Sequence, residues 1–231
     1  MSEKIELVQR VEYIKDACRG RKVLHLGCTN WPYTKEVLED NSLLHLQLRD
    51  IAGELWGLDY DQAGLDVLAE RGIPNLYQAD LEKLDELKID QKFDVIVAGE
   101  MIEHLNNPGL FLQGIKRFMA SDTLLIITTV NAYCGFRMLY YALRGKGGTA
   151  EPVHPDHVAY YSYSTLSLLI KRAGLEVDKF MFYDLGAEHR VTAPWHTKLA
   201  NDVFVGISKQ LADGLIARCK LPSKNGKVLL P

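Results

Sequence analysis

The 231-residue chain has no apolar run long enough to span a bilayer. Its longest apolar stretches, such as residues 123–130, fall far short of the roughly 20 residues a membrane helix needs. The opening residues, MSEKIELVQR, are charged and lack an apolar core, so they do not read as a secretory signal. Cysteine is sparse: Cys18, Cys28, Cys134 and Cys219 form neither a C-x-x-C pair nor a dense framework. They are expected as reduced thiols in a cytoplasmic protein. An excess of one charge is missing too. A net charge of −3 gives no general field for nucleic acid or an anionic membrane. Near-neutral charge argues against RNA, whose phosphates would need a basic stripe. Two glycine-rich loops are also lacking, G-x-G-x-x-G for a dinucleotide pyrophosphate and G-x-x-x-x-G-K-[ST] for a triphosphate.

What is present is a hydrophobic content of 47%, enough for one sizeable α/β domain. The expectation is a single domain over 1–231, with its core at about 22–209, a helix over 3–18 and a tail over 210–231. Residues 22–31, KVLHLGCTNW, organise it: an apolar β-branched strand, a turn at Gly27, and then a helix with Pro32 in its first turn. Strand, glycine turn and helix open a nucleotide-binding sheet. A second strand ends at Asp59, where an acidic side chain can accept both ribose hydroxyls. The alternative is a turn aspartate, with Asp61 the better cap for the helix that follows. A third strand exits at Asp80-Leu81, which taken alone reads as an ordinary loop. A fourth, FDVIVA, exits through Gly99-Glu-Met-Ile-Glu-His, and a helix opens at Pro108. An almost wholly apolar fifth strand follows at residues 123–129, as expected when helices cover both faces. Residues 131–144 read as an aromatic-rich helix, 145–153 as a Gly-rich loop, 165–173 as a helix closed by Gly174. The last two strands are expected at 175–183 and 202–208.

The run Val23-Leu24-His25-Leu26-Gly27-Cys28 resembles motif I of the class I S-adenosylmethionine (SAM) methyltransferases, V-L-D-x-G-C-G-x-G. His25 replaces the usual acid, and Thr29 and Trp31 replace the later glycines. The resemblance covers about residues 22–209 and implies a doubly wound α/β fold, with a mostly parallel seven-stranded sheet between two helical layers. It also implies cofactor contacts at successive strand ends: His25, Gly27, Cys28 and Thr29; Asp59 and Tyr60; Asp80 and Leu81; Gly99 and Glu100. Asp80 would accept from the adenine amino group, and the Leu81 N–H would meet a ring nitrogen.

Glu100, Glu103 and His104 are spaced i, i+3, i+4, so on one helical turn they would share a face. Two carboxylates and an imidazole suit Mg²⁺ or Mn²⁺, with His157 or His154 as a fourth ligand. This E-x-x-E-H pattern resembles the ubiquinone-pathway O-methyltransferases and the small-RNA 2′-O-methyltransferases. Without a metal, the Glu orders the loop and His104 lines the substrate pocket. His104 and His157 are the candidate catalytic residues, because an imidazole can take a hydroxyl proton near neutral pH. His157 also reads as an ordinary loop histidine. No N-P-P-[YF] motif of amino-group methyltransferases occurs, which favours an oxygen acceptor. The His154-Pro-Asp-His stretch looks like that of polysaccharide-associated methyltransferases. The expected partner is therefore a small hydroxylated molecule such as a sugar or quinone precursor. Two competing readings are a non-catalytic SAM-binding subunit, with Thr29 and Trp31 crowding the pocket, and an NAD-dependent oxidoreductase, against which the missing G-x-G-x-x-G stands.

Overall fold

The computed structural model describes residues 5–144, 156–185 and 193–222. A two-residue strand, β1 (Leu7–Val8), precedes helix α1 (Arg10–Cys18) and strand β2 (Lys22–Leu26). Two short helices follow, α2 (Thr34–Glu39) and α3 (Leu44–Arg49), then β3 (Glu54–Asp59), α4 (Gln62–Glu70) and β4 (Leu76–Gln78). The other half comprises β5 (Phe93–Gly99), α5 (Pro108–Gly114), β6 (Met119–Val130), α6 (Gly135–Arg144), α7 (Tyr163–Arg172), β7 (Glu176–Tyr183), α8 (Trp195–Ile207) and β8 (Gly214–Lys220).

These strands form one sheet in the order β1-β7-β8-β6-β5-β2-β3-β4. All neighbours are parallel except β8, which runs antiparallel to both β6 and β7. From β2 the chain winds outward to β4, then returns across β2 to β5 and winds the other way. The switch lies between β2 and β5, and in such sheets ligands bind at the carboxyl ends beside it.

Alternation along the strands divides the core. Leu24, Leu26, Ile96, Ala98, Leu125 and Ile127 face one side with Phe111 and Ile115 of the α5 region and Leu166 and Ile170 of α7. Val23, Val95, Val97, Ile126 and Ile216 face the other, against Ile14 and Cys18 of α1 and Leu48 of α3. Burial on both faces is why β5 and β6 are apolar nearly throughout. The four cysteines are free and buried. Among the described residues no helix is long and apolar enough to cross a membrane.

Three sequence expectations change. The sheet has eight strands rather than seven, because β1, expected within the first helix, adds to β7 at the edge. The expected strand over 202–208 falls on the end of α8, which runs to Ile207, and the expected tail instead supplies β8 between β6 and β7. Residues 202–208 combine β-branched and aromatic side chains, so propensity favours strand, yet the sheet position is taken by residues with longer pairing on both sides. Pro32 also lies ahead of α2, not in its first turn. The Gly-rich loop at 145–153 lies outside the described residues.

Gly214 sits where β8 meets Tyr183: a Cβ there would come within 1.9 Å of the Tyr183 ring. Tyr183 is buried and its hydroxyl is engaged, so the ring has little room to yield. Gly214→Ala is expected to destabilise the fold by about 1–3 kcal/mol, the usual range for overpacking. Chemical denaturation checks this, and wild-type stability in the variant would contradict it.

Candidate active site

The carboxyl ends of β2, β3 and β5 and the exit of β4 open on a cleft of about 1390 Å³. His25, Gly27, Thr29, Asp59, Tyr60, Asp80, Leu81, Gly99, Glu100 and His104 all line it. The serial strand ends expected from the sequence are thus brought together. Cys28 is the exception. Its thiol is buried beneath the loop with Leu38, Leu43, Leu65 and Leu68, and burial pushes its pKa up. The left-handed Gly27 (φ 68°) turns the chain sharply enough to direct the next side chain inward.

That turn is held from β3. The amides of Gly27 and Cys28 donate to the Leu58 carbonyl at 2.9 and 3.3 Å. Asp59 then braces the loop: Oδ2 accepts from the Thr29 amide at 2.8 Å, and Oδ1 from the Asp61 amide at 2.9 Å. Each oxygen keeps a further lone pair. Thr29 does not need a glycine's place to be empty, because its Cβ and Cγ2 lie against Gly64 of α4, where any Cβ would meet them within 2.9 Å. Trp31 is exposed at the cleft rim. Asp61 occupies the α4 cap position without a side-chain capping bond.

At the next strand end, Asp80 Oδ1 accepts from the Glu82 amide at 3.0 Å and Oδ2 pairs with Lys83 at 3.1 Å. Glu82 in turn accepts from the amide and side chain of Asn107, at 3.0 and 2.8 Å. These bonds join the β4 exit to the start of α5.

Beyond β5 the expected helical turn does not form. Glu100 adopts a left-handed conformation (φ 52°), and only Ile102–His104 forms a 3-10 turn. Glu100 therefore leaves the expected ligand set. Its Oε1 accepts from Thr128 Oγ1 at 2.8 Å and the Tyr183 hydroxyl at 3.0 Å, which ties the ends of β5, β6 and β7 together. Glu103, His104 and His157 do converge, with one donor atom from each lying within 4.8 Å of the others. His104 is exposed, and His157 stands edge-on to it with ring centroids 4.7 Å apart. Glu103 is buried, and its Oε2 accepts from Thr129 Oγ1 at 2.9 Å. Its Oε1 has no hydrogen-bond partner among the described residues. Burial, and then the nearby Glu100 carboxylate, raises the Glu103 pKa to about 8. His154 lies outside the described residues.

Two further cleft features escaped the sequence reading. Arg10 of α1 lines the cleft beside Gly99, its guanidinium 5.9 Å from the Tyr183 ring centre. His45 of α3 is buried behind the cleft, with its Nδ1 3.1 Å from His25 Nδ1 and the two ring planes within 13° of each other. The signal that could have revealed His45 is Gly57, an otherwise unexplained glycine inside β3.

Residues 9–179 match the family described as a methyltransferase domain. The chain belongs to the class I SAM-dependent methyltransferases. A ubiquinone biosynthesis O-methyltransferase of Proteus mirabilis is 26% identical over 129 residues, 53% of this chain and 48% of its own length. A Mycolicibacterium smegmatis protein named for SAM-dependent methyltransferase activity is 26% identical over 208 residues, 80% of this chain and 71% of its own. The chain thus spans about half of the first relative and most of the second. A SAM-dependent methyltransferase from Archaeoglobus fulgidus superposes with a TM-score of 0.58 at 17% identity, covering 91% of both chains, and shares the fold.

Glu103 gives this methyltransferase a pH signature. An unfolded glutamate titrates near about pH 4.3. Between that value and about 8, the folded chain holds the proton that the unfolded chain has released. Stability therefore falls as pH rises through this window and is fully present only below it. Glu103→Gln cannot ionise and is expected to flatten that decline in denaturation midpoints taken from about pH 5 to pH 8. A decline as steep as wild type would contradict the assignment.

Proposed function

We propose that this methyltransferase transfers its methyl group to a hydroxyl of a small acceptor, a sugar, quinone precursor or similar metabolite. The observation that carries this reading is the exposed His104 imidazole in the same cleft as the motif I turn, with His157 packed on it. SAM, when bound, supplies a methyl group on a sulfonium, and its transfer is a single in-line displacement. The chain's task is to position two reactants and take one proton.

Its residues fit that cofactor. Asp59 offers one unused lone pair on each oxygen to the ribose hydroxyls, while its other bonds keep the carboxylate still. Asp80 and the Leu81 amide would meet adenine. Gly27 leaves the backbone bare where the ligand approaches, and Thr29 leans on Gly64, which weakens the non-catalytic reading. Arg10 provides a cation for the carboxylate of the cofactor's amino-acid end. His104 accepts the acceptor's proton at an imidazole nitrogen, and His157 orients it.

Glu103, His104 and His157 form a donor set for a divalent cation such as Mn²⁺ or Mg²⁺, and the buried Glu103 Oε1 supports it. Such an ion would supply Lewis acidity toward the acceptor hydroxyl and hold Glu103 ionised. On the acceptor side, α6 and α8 present Met138, Leu139, Tyr140 and Tyr141, and Trp195, Leu199 and Val203, as exposed side chains. They favour an acceptor with an apolar or aromatic part.

His104→Ala is expected to lower kcat by roughly 10²–10⁴, the range for a lost general base. Its affinity for S-adenosylhomocysteine, by calorimetry, should stay near wild type. Unchanged kcat across hydroxylated acceptors would remove His104 from the reaction. Asp59→Ala should weaken S-adenosylhomocysteine at least several-fold, and unchanged affinity would end its ribose role. If the cation reading holds, excess chelator should abolish most activity, and full activity there would refute it.

A further inference from the structure

His25 takes the place of the motif's acid, and the structure surrounds it in an unusual way. It pairs in register with Gly57 of β3, on the strand beside it. Because Gly57 has no side chain, a slot opens there, and the His45 ring fills it: a Cβ at 57 would lie 2.9 Å from His45 Cε1 and 2.8 Å from the Cys28 thiol. A glycine inside a strand weakens it, so this position accepts a local cost to admit the second imidazole.

The two Nδ1 atoms, 3.1 Å apart, share one hydrogen bond, so one ring donates and the other accepts. The accepting ring must be bare at Nδ1. Burial lowers the pKa of each, with Arg10 also facing His25 and Arg49 facing His45. The remaining nitrogens decide the direction. His45 Nε2 is buried and has no partner among the described residues. A bare lone pair is tolerated there more readily than an orphaned N–H. His45 therefore carries its proton on Nδ1 and donates it to His25. His25, which lines the cleft, keeps its proton on Nε2.

We propose that His45 fixes His25 as a neutral donor, and that His25 Nε2–H together with Arg10 reads the carboxylate of the cofactor's amino-acid end. The motif's acid would present an anion at this point, so the exchange reverses the polarity of one wall. His25 is thereby a specificity determinant and His45 a positioning residue. The inference rests on the SAM-cleft reading above.

Nitrogen-15 NMR of the wild-type imidazoles tests the tautomer directly. The expected pattern is His25 protonated at Nε2 and bare at Nδ1, with His45 the reverse; the opposite assignment would overturn the proposal. Calorimetry tests the consequence with two ligands, S-adenosylhomocysteine and 5′-methylthioadenosine, which lacks the amino-acid end. His45→Phe keeps an aromatic ring in the slot, one ring atom larger, but removes the donor. It should weaken S-adenosylhomocysteine about five- to tenfold and leave methylthioadenosine unchanged, the loss of a single hydrogen bond. Equal weakening of both ligands would reduce His45 to packing and overturn the proposal. Wild-type protein that binds neither ligand would instead refute the cleft reading on which it stands.

Discussion

The site depends on the bond between the glycine turn after β2 and the end of β3. Leu58 holds the turn through its carbonyl, and Asp59 holds the next amide through its carboxylate. Both residues end a strand whose register with β2 is fixed by five paired positions. Buried amides need such partners, because each one left unpaired would cost about 1–3 kcal/mol. The turn therefore cannot shift without breaking the β2–β3 edge, and the cleft floor inherits the sheet's rigidity. Asp59 braces the turn and at the same time lines the cleft.

The other wall is built by the same means, from side chains in place of amides. Glu100 is pinned by Thr128 and Tyr183, so the ends of β5, β6 and β7 are tied at one carboxylate. This frees the next turn to carry Glu103 and His104 toward His157. The cleft is thereby divided: the strand ends near the switch point form one part, where the proposed function seats the nucleoside, and His104 beyond β5 forms the part it assigns to the acceptor. Exposed apolar helices lie at the same end of the sheet, since α6 follows β6 and α8 precedes β8.

Motif departures that look damaging in a linear reading are compensated locally. Thr29 is matched by Gly64, and His25 by Gly57 and His45. At Thr29 the added bulk is met directly by the missing Cβ of Gly64; at His25 the missing Cβ of Gly57 admits the second imidazole that pairs with it. Close-packed interiors require such complementary volumes. Gly64, Gly57 and His45 lie 35, 32 and 20 residues from the motif positions they serve, so no local pattern announces them.

The sequence alone determined the strands flanking the switch point, because buried parallel strands leave apolar runs and their exits carry turn residues with charged side chains. The places of Gly27, Asp59, Asp80 and His104 along the cleft were legible for that reason. Tertiary structure decided what depends on the sign of φ or on long-range pairing. Glu100 left its expected helical face because it is left-handed, and Cys28 turned inward behind a left-handed glycine. β8 became a strand because β6 and β7 both offered it an edge. Arg10 and His45 entered the site from helices whose sequences carry no motif. Only the packed sheet sets them beside His25 and Gly99, because proximity across layers follows from the sheet's winding and not from spacing along the chain.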